Sequence, residues 1–158
     1  LVVAVPEGHA VPGLGRLRLP VRPAWLGLIL VGGTAGTAVR GWLEGSFAAA
    51  AGQWPWTTFW INLSGALLLG LLLEVLAGSG PDRGWRRGLR LGVCTGFLGD
   101  YTTYSTFAVE TFQLLDGGAV LIGLGYSVGS VLLGFLAAAG GARLARLPGR
   151  ARRTGAAR

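Results

Sequence analysis

Gly96-Phe97-Leu98-Gly99-Asp100-Tyr101-Thr102-Thr103-Tyr104-Ser105-Thr106-Phe107 interrupts a membrane-length apolar segment with glycines, hydroxyls and an acid. A bilayer core offers no water to backbone groups, so a broken helix at that depth is tolerated only inside protein or beside a cavity. Polar, glycine-rich interruptions of spanning helices therefore mark the place to look for an ion site. The stretch decides the fold class: an all-α membrane protein whose third transmembrane helix is broken.

The rest of the chain agrees. Of 158 residues, 51% are hydrophobic and only 13% charged, with 29 glycines and a mean hydropathy of +0.55. Lipid can stand in for part of the core such a chain lacks. The single cysteine, Cys94, excludes an internal disulfide framework and makes thiolate metal chemistry improbable. The lone histidine, His9, precedes the apolar region, so the spans hold no imidazole base or ligand, and an ordinary enzyme active site is not expected.

Four apolar segments follow one another. The first runs from Ala24 to about Val39 and continues through Arg40 towards Phe47. The second is Thr57–Leu76, about the length that crosses a ~30 Å hydrocarbon core. The third is Leu91–Leu115, with the polar interruption inside it, and the fourth is the uncharged Ala119–Ala142. Gly78–Arg90 reads as the charged linker and Asp116-Gly117-Gly118 as a tight turn. The predicted organisation is a flexible cytoplasmic arm (1–23, not a cleaved leader), a four-helix transmembrane domain (24–142) and an Arg-rich cytoplasmic tail (143–158).

All 14 basic residues are arginine, and the net charge is +7. In a soluble protein that would suggest nucleic acid. Here the arginines flank the spans, so topology explains them and no nucleic-acid partner is expected. Thirteen precede the first span, join the second to the third or follow the fourth, and Arg40 alone lies on the other side. The positive-inside rule then puts both termini in the cytoplasm and predicts one fixed orientation. Small residues at helix-packing spacing (Gly32 and Gly36; Gly88, Gly92 and Gly96; Gly125 and Gly129) predict close backbone approach in a tight, oligomeric bundle.

Several polar residues sit where lipid-facing chains avoid them. Thr58 and Asn62 share one face of the second span, and the amide can donate to an anion or bond a neighbouring helix. Tyr126 and Ser130 form a similar stripe in the fourth, although a serine in a membrane helix can simply bond its own backbone. Tyr104 and Phe107 are neighbours whose positive ring edges could meet an anion, or could merely pack. Ser105 belongs to the hydroxyl cluster around them. Asp100 and Glu110 are acids at membrane depth, suspects by default. Arg40 either draws anions into an aqueous mouth or snorkels to the interface.

Taken in order, these motifs resemble the Fluc (CrcB) fluoride channels. The matching signatures are Gly32-Gly33-Thr34-Ala35-Gly36-Thr37-Ala38-Val39-Arg40, Thr58-Phe59-Trp60-Ile61-Asn62-Leu63-Ser64-Gly65, the opening stretch with Glu110, and Tyr126 with Ser130. Together they span roughly residues 25–140. The resemblance implies an antiparallel dimer of four-helix chains in the cell membrane that conducts fluoride passively. It assigns Gly99 and Thr102 to backbone carbonyls holding a structural sodium ion at the dimer centre. Tyr104 and Phe107 become the rings that meet fluoride edge-on, with Asn62, Thr58, Tyr126 and Ser130 along the ion path. Arg40 is placed near the vestibule, and Glu110 and Ser105 are supporting. Weak acid enters cells as HF and ionises inside, so such a channel lets the anion leave down its gradient.

The family usually has glycine and phenylalanine where this chain has Asp100 and Tyr101, and phenylalanine where it has Tyr104. Members that form homodimers insert in both orientations. The arginine bias therefore predicts pairing with a second, oppositely oriented homologue. Two other readings compete. A four-helix multidrug exporter needs a carboxylate in the first span, and Ala24–Val39 has none. A non-transporting membrane subunit predicts no ion flux.

Overall fold

The structure, a computed structural model, describes residues 22–154, whose regular elements are all helices, with no strand among them. Most of the predicted N-terminal arm (1–21) and the last residues of the predicted tail (155–158) lie outside the described residues. Helix α1 is Pro23–Ser46, with its proline in the first turn, where a missing N–H costs nothing. Helix α2 is Trp56–Gly78, apolar all round apart from Thr57, Thr58, Asn62, Ser64 and Glu74. At 24 and 23 residues, each is about 35 Å long, enough to cross a bilayer core. The final helix, α6, is Val120–Thr154, and its apolar part is Val120–Leu147.

The region between α2 and α6 is different. Helix α3 is Trp85–Leu89 and runs directly into a π-helical stretch, Arg90–Leu98, and then a short α4, Gly99–Tyr101. Thr102 turns to extended backbone (φ −77°, ψ 155°), and helix α5 resumes at Ser105 and ends at Asp116. Among the described residues three helices are therefore long and apolar enough to span, namely α1, α2 and α6. The region predicted to be the third span is not one uninterrupted helix. The charged linker is shorter than Gly78–Arg90, because positive φ at Gly80 and Gly84 completes the reversal before Trp85. Gly118 (φ +80°) makes the expected tight turn.

Packing comes in two pairs: α1 against the π-helical stretch and α4, and α2 against α6, with α5 laid on α6. Glycines permit both. A Cβ on Gly32 would lie 2.0 Å from the Gly92 carbonyl oxygen, and one on Gly36 would lie 2.2 Å from that of Phe97. The α2–α6 crossing uses Gly70 and Gly141, whose Cβ positions fall 2.1 Å from the carbonyl oxygens of Ala138 and Leu67. Such contacts exclude any side chain larger than hydrogen. Among the described residues the Gly125/Gly129 pair does not receive a helix. Its neighbour is the Trp54 ring, at ordinary van der Waals distance.

The buried core is small. One cluster of it is Phe59, Leu114 and Tyr126, with Trp54, Leu63, Phe107 and Ala119 packed around them, and Ile61, Leu76, Cys94 and Leu98 are also buried. Large apolar side chains such as Leu30, Val31, Leu121 and Phe135 remain exposed on α1 and α6, the pattern of a chain whose outer surface meets lipid or another subunit. At one end of the bundle Arg146 of α6 grips both carboxylate oxygens of Glu74 at 2.8 and 3.0 Å. The helix thus continues past Ala142 into the Arg-rich segment.

Candidate functional site

The interruption after Tyr101 is held open by side chains of α1 and α2. In a continuing helix the Thr103 N–H would reach the Gly99 carbonyl. It donates instead to Asn62 Oδ1 at 2.8 Å, and Asn62 Nδ2 donates to the Thr103 carbonyl at 2.9 Å. The Asp100 carbonyl, next in the ladder, accepts from Arg40 Nε at 3.1 Å. Thr102 stays attached to the helix behind it, its N–H and its hydroxyl both donating to the Leu98 carbonyl. One amide on α2 and one guanidinium on α1 replace helical hydrogen bonds that the break gives up. The Gly99 carbonyl is left without its helical donor from Thr103, and such oxygens suit a hard cation. Among the described residues no three His, Cys, Asp or Glu side chains cluster to hold a metal.

Beyond the break, buried Thr103 organises the start of α5. Its hydroxyl accepts the Thr106 N–H at 3.1 Å and bonds the hydroxyls of Thr106 and Ser105 at 3.1 and 3.2 Å. Satisfying an orphan N–H in the first turn is what helix-start hydroxyls do. The next turn carries Phe107 and then Glu110. Thr58 Oγ1 and the Tyr126 hydroxyl each donate to the Glu110 carboxylate at 2.7 Å. Both donors are essentially inaccessible, at 1% and 0% exposed. The Tyr126 ring is fixed between Phe107 (centroids 5.2 Å apart) and Trp54 (5.6 Å, edge-on). Removing one donor should therefore register as lost stability. Tyr126→Phe is expected to cost about 1.5–3 kcal/mol, the range for a hydrogen bond to a charged group, read as a lower melting midpoint in detergent.

Two cavities flank this cluster. An open one of about 270 Å³ is lined by Asn62, Thr102, Thr103, Tyr104, Phe107, Ser130 and Val131. The Tyr104 and Phe107 rings are 6.0 Å apart and tilted by 45°, and Tyr104 is 81% exposed. The Ser130 hydroxyl is buried with no partner in the described residues, a donor without an acceptor beside that space. The second cavity, about 700 Å³, opens at the α1–α2 loop and reaches Thr58 and Glu110, with Glu44, Thr106 and Gln113 also on its wall.

The structure thus divides the predicted residues into groups. Asn62, Thr102, Tyr104, Phe107 and Ser130 surround one cavity, while Thr58, Tyr126 and Glu110 form a hydrogen-bonded knot beside it. Gly99 sits at the break, and Ser105 is tied to Thr103. Arg40 does something neither sequence alternative named: besides the Asp100 carbonyl, its Nη1 lies 3.5 Å from Glu44. Sequence reasoning gave no role to Thr103, to Trp54, or to the Ser64–Tyr101 hydroxyl contact at 3.1 Å. Thr103 was legible only as one hydroxyl among four.

Comparison with known proteins matches the family model described as "CrcB-like protein, Camphor Resistance (CrcB)" over residues 27–142. "Fluoride-specific ion channel FluC 1" of Cutibacterium acnes is 44% identical over 117 residues, which cover 74% of this chain and 82% of that protein. "Fluoride-specific ion channel FluC 2" of Leifsonia xyli subsp. xyli is 45% identical over 107 residues, 68% of this chain and 73% of the relative. "Fluoride-specific ion channel FluC" of Bordetella petrii is 42% identical over 109 residues, 69% and 80% respectively.

Proposed function

The chain belongs to the CrcB family, and from that premise we propose that it is a fluoride-selective membrane channel through which fluoride leaves the cell passively. The observation that carries this reading is the cavity at the helix break. There Asn62, Tyr104, Phe107 and Ser130 line one space, and the buried Ser130 hydroxyl beside it has no partner among the described residues. A small, strongly hydrated anion gives up water only to close-set donors. Hydroxyl, amide and positive ring edges supply them without a fixed cationic side chain that would trap the ion.

The helical run Trp85–Tyr101 and α5 together make the third, broken span of a four-span bundle. The conducting unit is an antiparallel dimer. The large apolar side chains left exposed on α1 and α6, and the openness of the Tyr104 cavity, support a second subunit closing both. The residues fit a structural sodium ion, which the carbonyls of Gly99 and Thr102 would hold. When bound, it would supply positive charge that offsets bringing an anion into low dielectric. Both termini are cytoplasmic, and the arginine asymmetry favours one orientation and an oppositely oriented homologous partner.

Fluoride release from liposomes, followed by electrode with and without such a partner, tests the reading. Release of fluoride without chloride is expected, and no fluoride release in either condition defeats the channel assignment. Chloride release at a similar rate defeats the selectivity. Orientation is read from a terminal tag, since Cys94 is buried and poorly suited to labelling. Tags on both membrane faces in equal amounts would rule out the single orientation. The exporter reading lacks support, because the only charged residues of α1, Arg40 and Glu44, fall in its last third.

A further inference from the structure

The Asp100 side chain lies against α1. Its Oδ2 stands 2.1 Å from where a Cβ on Gly33 would be. Gly33 is near the middle of the 24-residue α1, which puts the carboxylate at mid-membrane height, and the residue is exposed on the single chain. The two acids of the neighbouring cluster have partners: Glu44 Oε2 lies 3.5 Å from Arg40 Nη1, and Glu110 accepts from Thr58 and Tyr126. Among the described residues no donor and no base meets the Asp100 carboxylate. Arg40, which touches this residue, binds its main-chain carbonyl instead.

An ionised acid at that depth is kept only where something offsets its charge. A proton, a base from another chain or a metal cation could do so. The surroundings favour the metal. The carbonyl of the adjacent Gly99 has lost the Thr103 N–H to Asn62, and carboxylate with carbonyl oxygen is the donor set of hard cations. We infer that Asp100 is a side-chain ligand for the cation at the helix break. The site of this chain then carries a formal negative charge and admits calcium as well as sodium. The inference rests on the cation proposed above and adds the charge of its site and the class of ion it accepts.

The test is cation binding by the purified full chain in detergent. NaCl or CaCl2 is added to protein in N-methylglucamine chloride, and the melting midpoint and tryptophan fluorescence are followed. Wild type is expected to respond to both ions. Asp100→Asn, of equal shape and without charge, is expected to weaken sodium binding at least about tenfold and to remove the calcium response, because ligand charge sets affinity at such sites. Should that variant fold poorly, Asp100→Gly serves, with the same expected loss. Unchanged affinities in the folded variant, or no response of wild type to either ion, overturn the inference. Fluoride release by wild type is measured in parallel. Release with cation affinity unchanged by the substitution refutes the role of Asp100 alone, whereas no release refutes the channel reading and not the cation result.

Discussion

Asn62→Asp is expected to lower the initial rate of fluoride release from liposomes at least about a hundredfold, a change equivalent to about 2.7 kcal/mol. Among side chains of its size, only a carboxamide offers an N–H to one backbone group and an oxygen to another at once. Asn62 uses both on Thr103. Aspartate keeps the acceptor for the Thr103 N–H but sets an oxygen against the Thr103 carbonyl. Leaving that buried group unmatched costs about 1–3 kcal/mol. It also places negative charge on the wall of the cavity that fluoride is proposed to enter, where like charges repel strongly in low dielectric. Asn62→Ala removes the pin without adding charge and should fall between. The comparison separates the two effects: equal loss in both variants assigns the defect to the pin alone. Wild-type rates in Asn62→Asp would show that neither effect matters.

Gly36→Ala should be, with Gly32→Ala, one of the two most damaging single-methyl changes in α1. Its Cβ would lie 2.2 Å from the Phe97 carbonyl oxygen and 3.0 Å from the Tyr101 nitrogen. Both are backbone, so no side chain can rotate aside and the helices themselves must separate. Overpacking of this kind costs about 1–3 kcal/mol. The displacement falls on the residues immediately before Thr102, so fluoride release should drop further than stability does. Gly27→Ala is the control: among the described residues nothing outside its own helix turn lies within 4 Å of that position, and the change should stay within about 1 kcal/mol, on the favourable side by helix propensity. A melting midpoint for Gly36→Ala no lower than that of Gly27→Ala would count against backbone contact between α1 and the stretch before the break.

What the sequence disclosed and what it withheld divide along one physical line. Local chemistry was legible. The apolar run Thr57–Leu76 predicts α2 (Trp56–Gly78) to within two residues, and Gly117-Gly118 predicts the turn. The glycines and hydroxyls of 96–107 point to trouble for a helix. Long-range closure was not legible. Asn62 was a donor with two possible recipients, and its recipient is the backbone of a residue 41 positions away. Arg40 had a mouth or an interface to choose from and took the Asp100 carbonyl, 60 positions on. Gly70 and Gly141 belong to no repeated spacing, so nothing marked them as a crossing point. The Gly125/Gly129 repeat suggested a helix where Trp54 lies. Spacing reports which residues share a face but not what that face meets.

The π-helical turns of Arg90–Leu98 bear on how this chain and its relatives can drift apart. A wide turn holds more residues for the same height than an α turn, and such bulges arise mostly as local expansions of an ordinary helix. Chain length and register are therefore loosely coupled just ahead of Gly99. An insertion or deletion there can be absorbed by a change of turn type, leaving Thr103 in front of Asn62. Past Thr102 no such slack exists, because Thr103 is pinned at both its N–H and its carbonyl. Gaps between homologous chains should thus gather before the break, while the segment from Thr102 to Glu110 keeps a constant length.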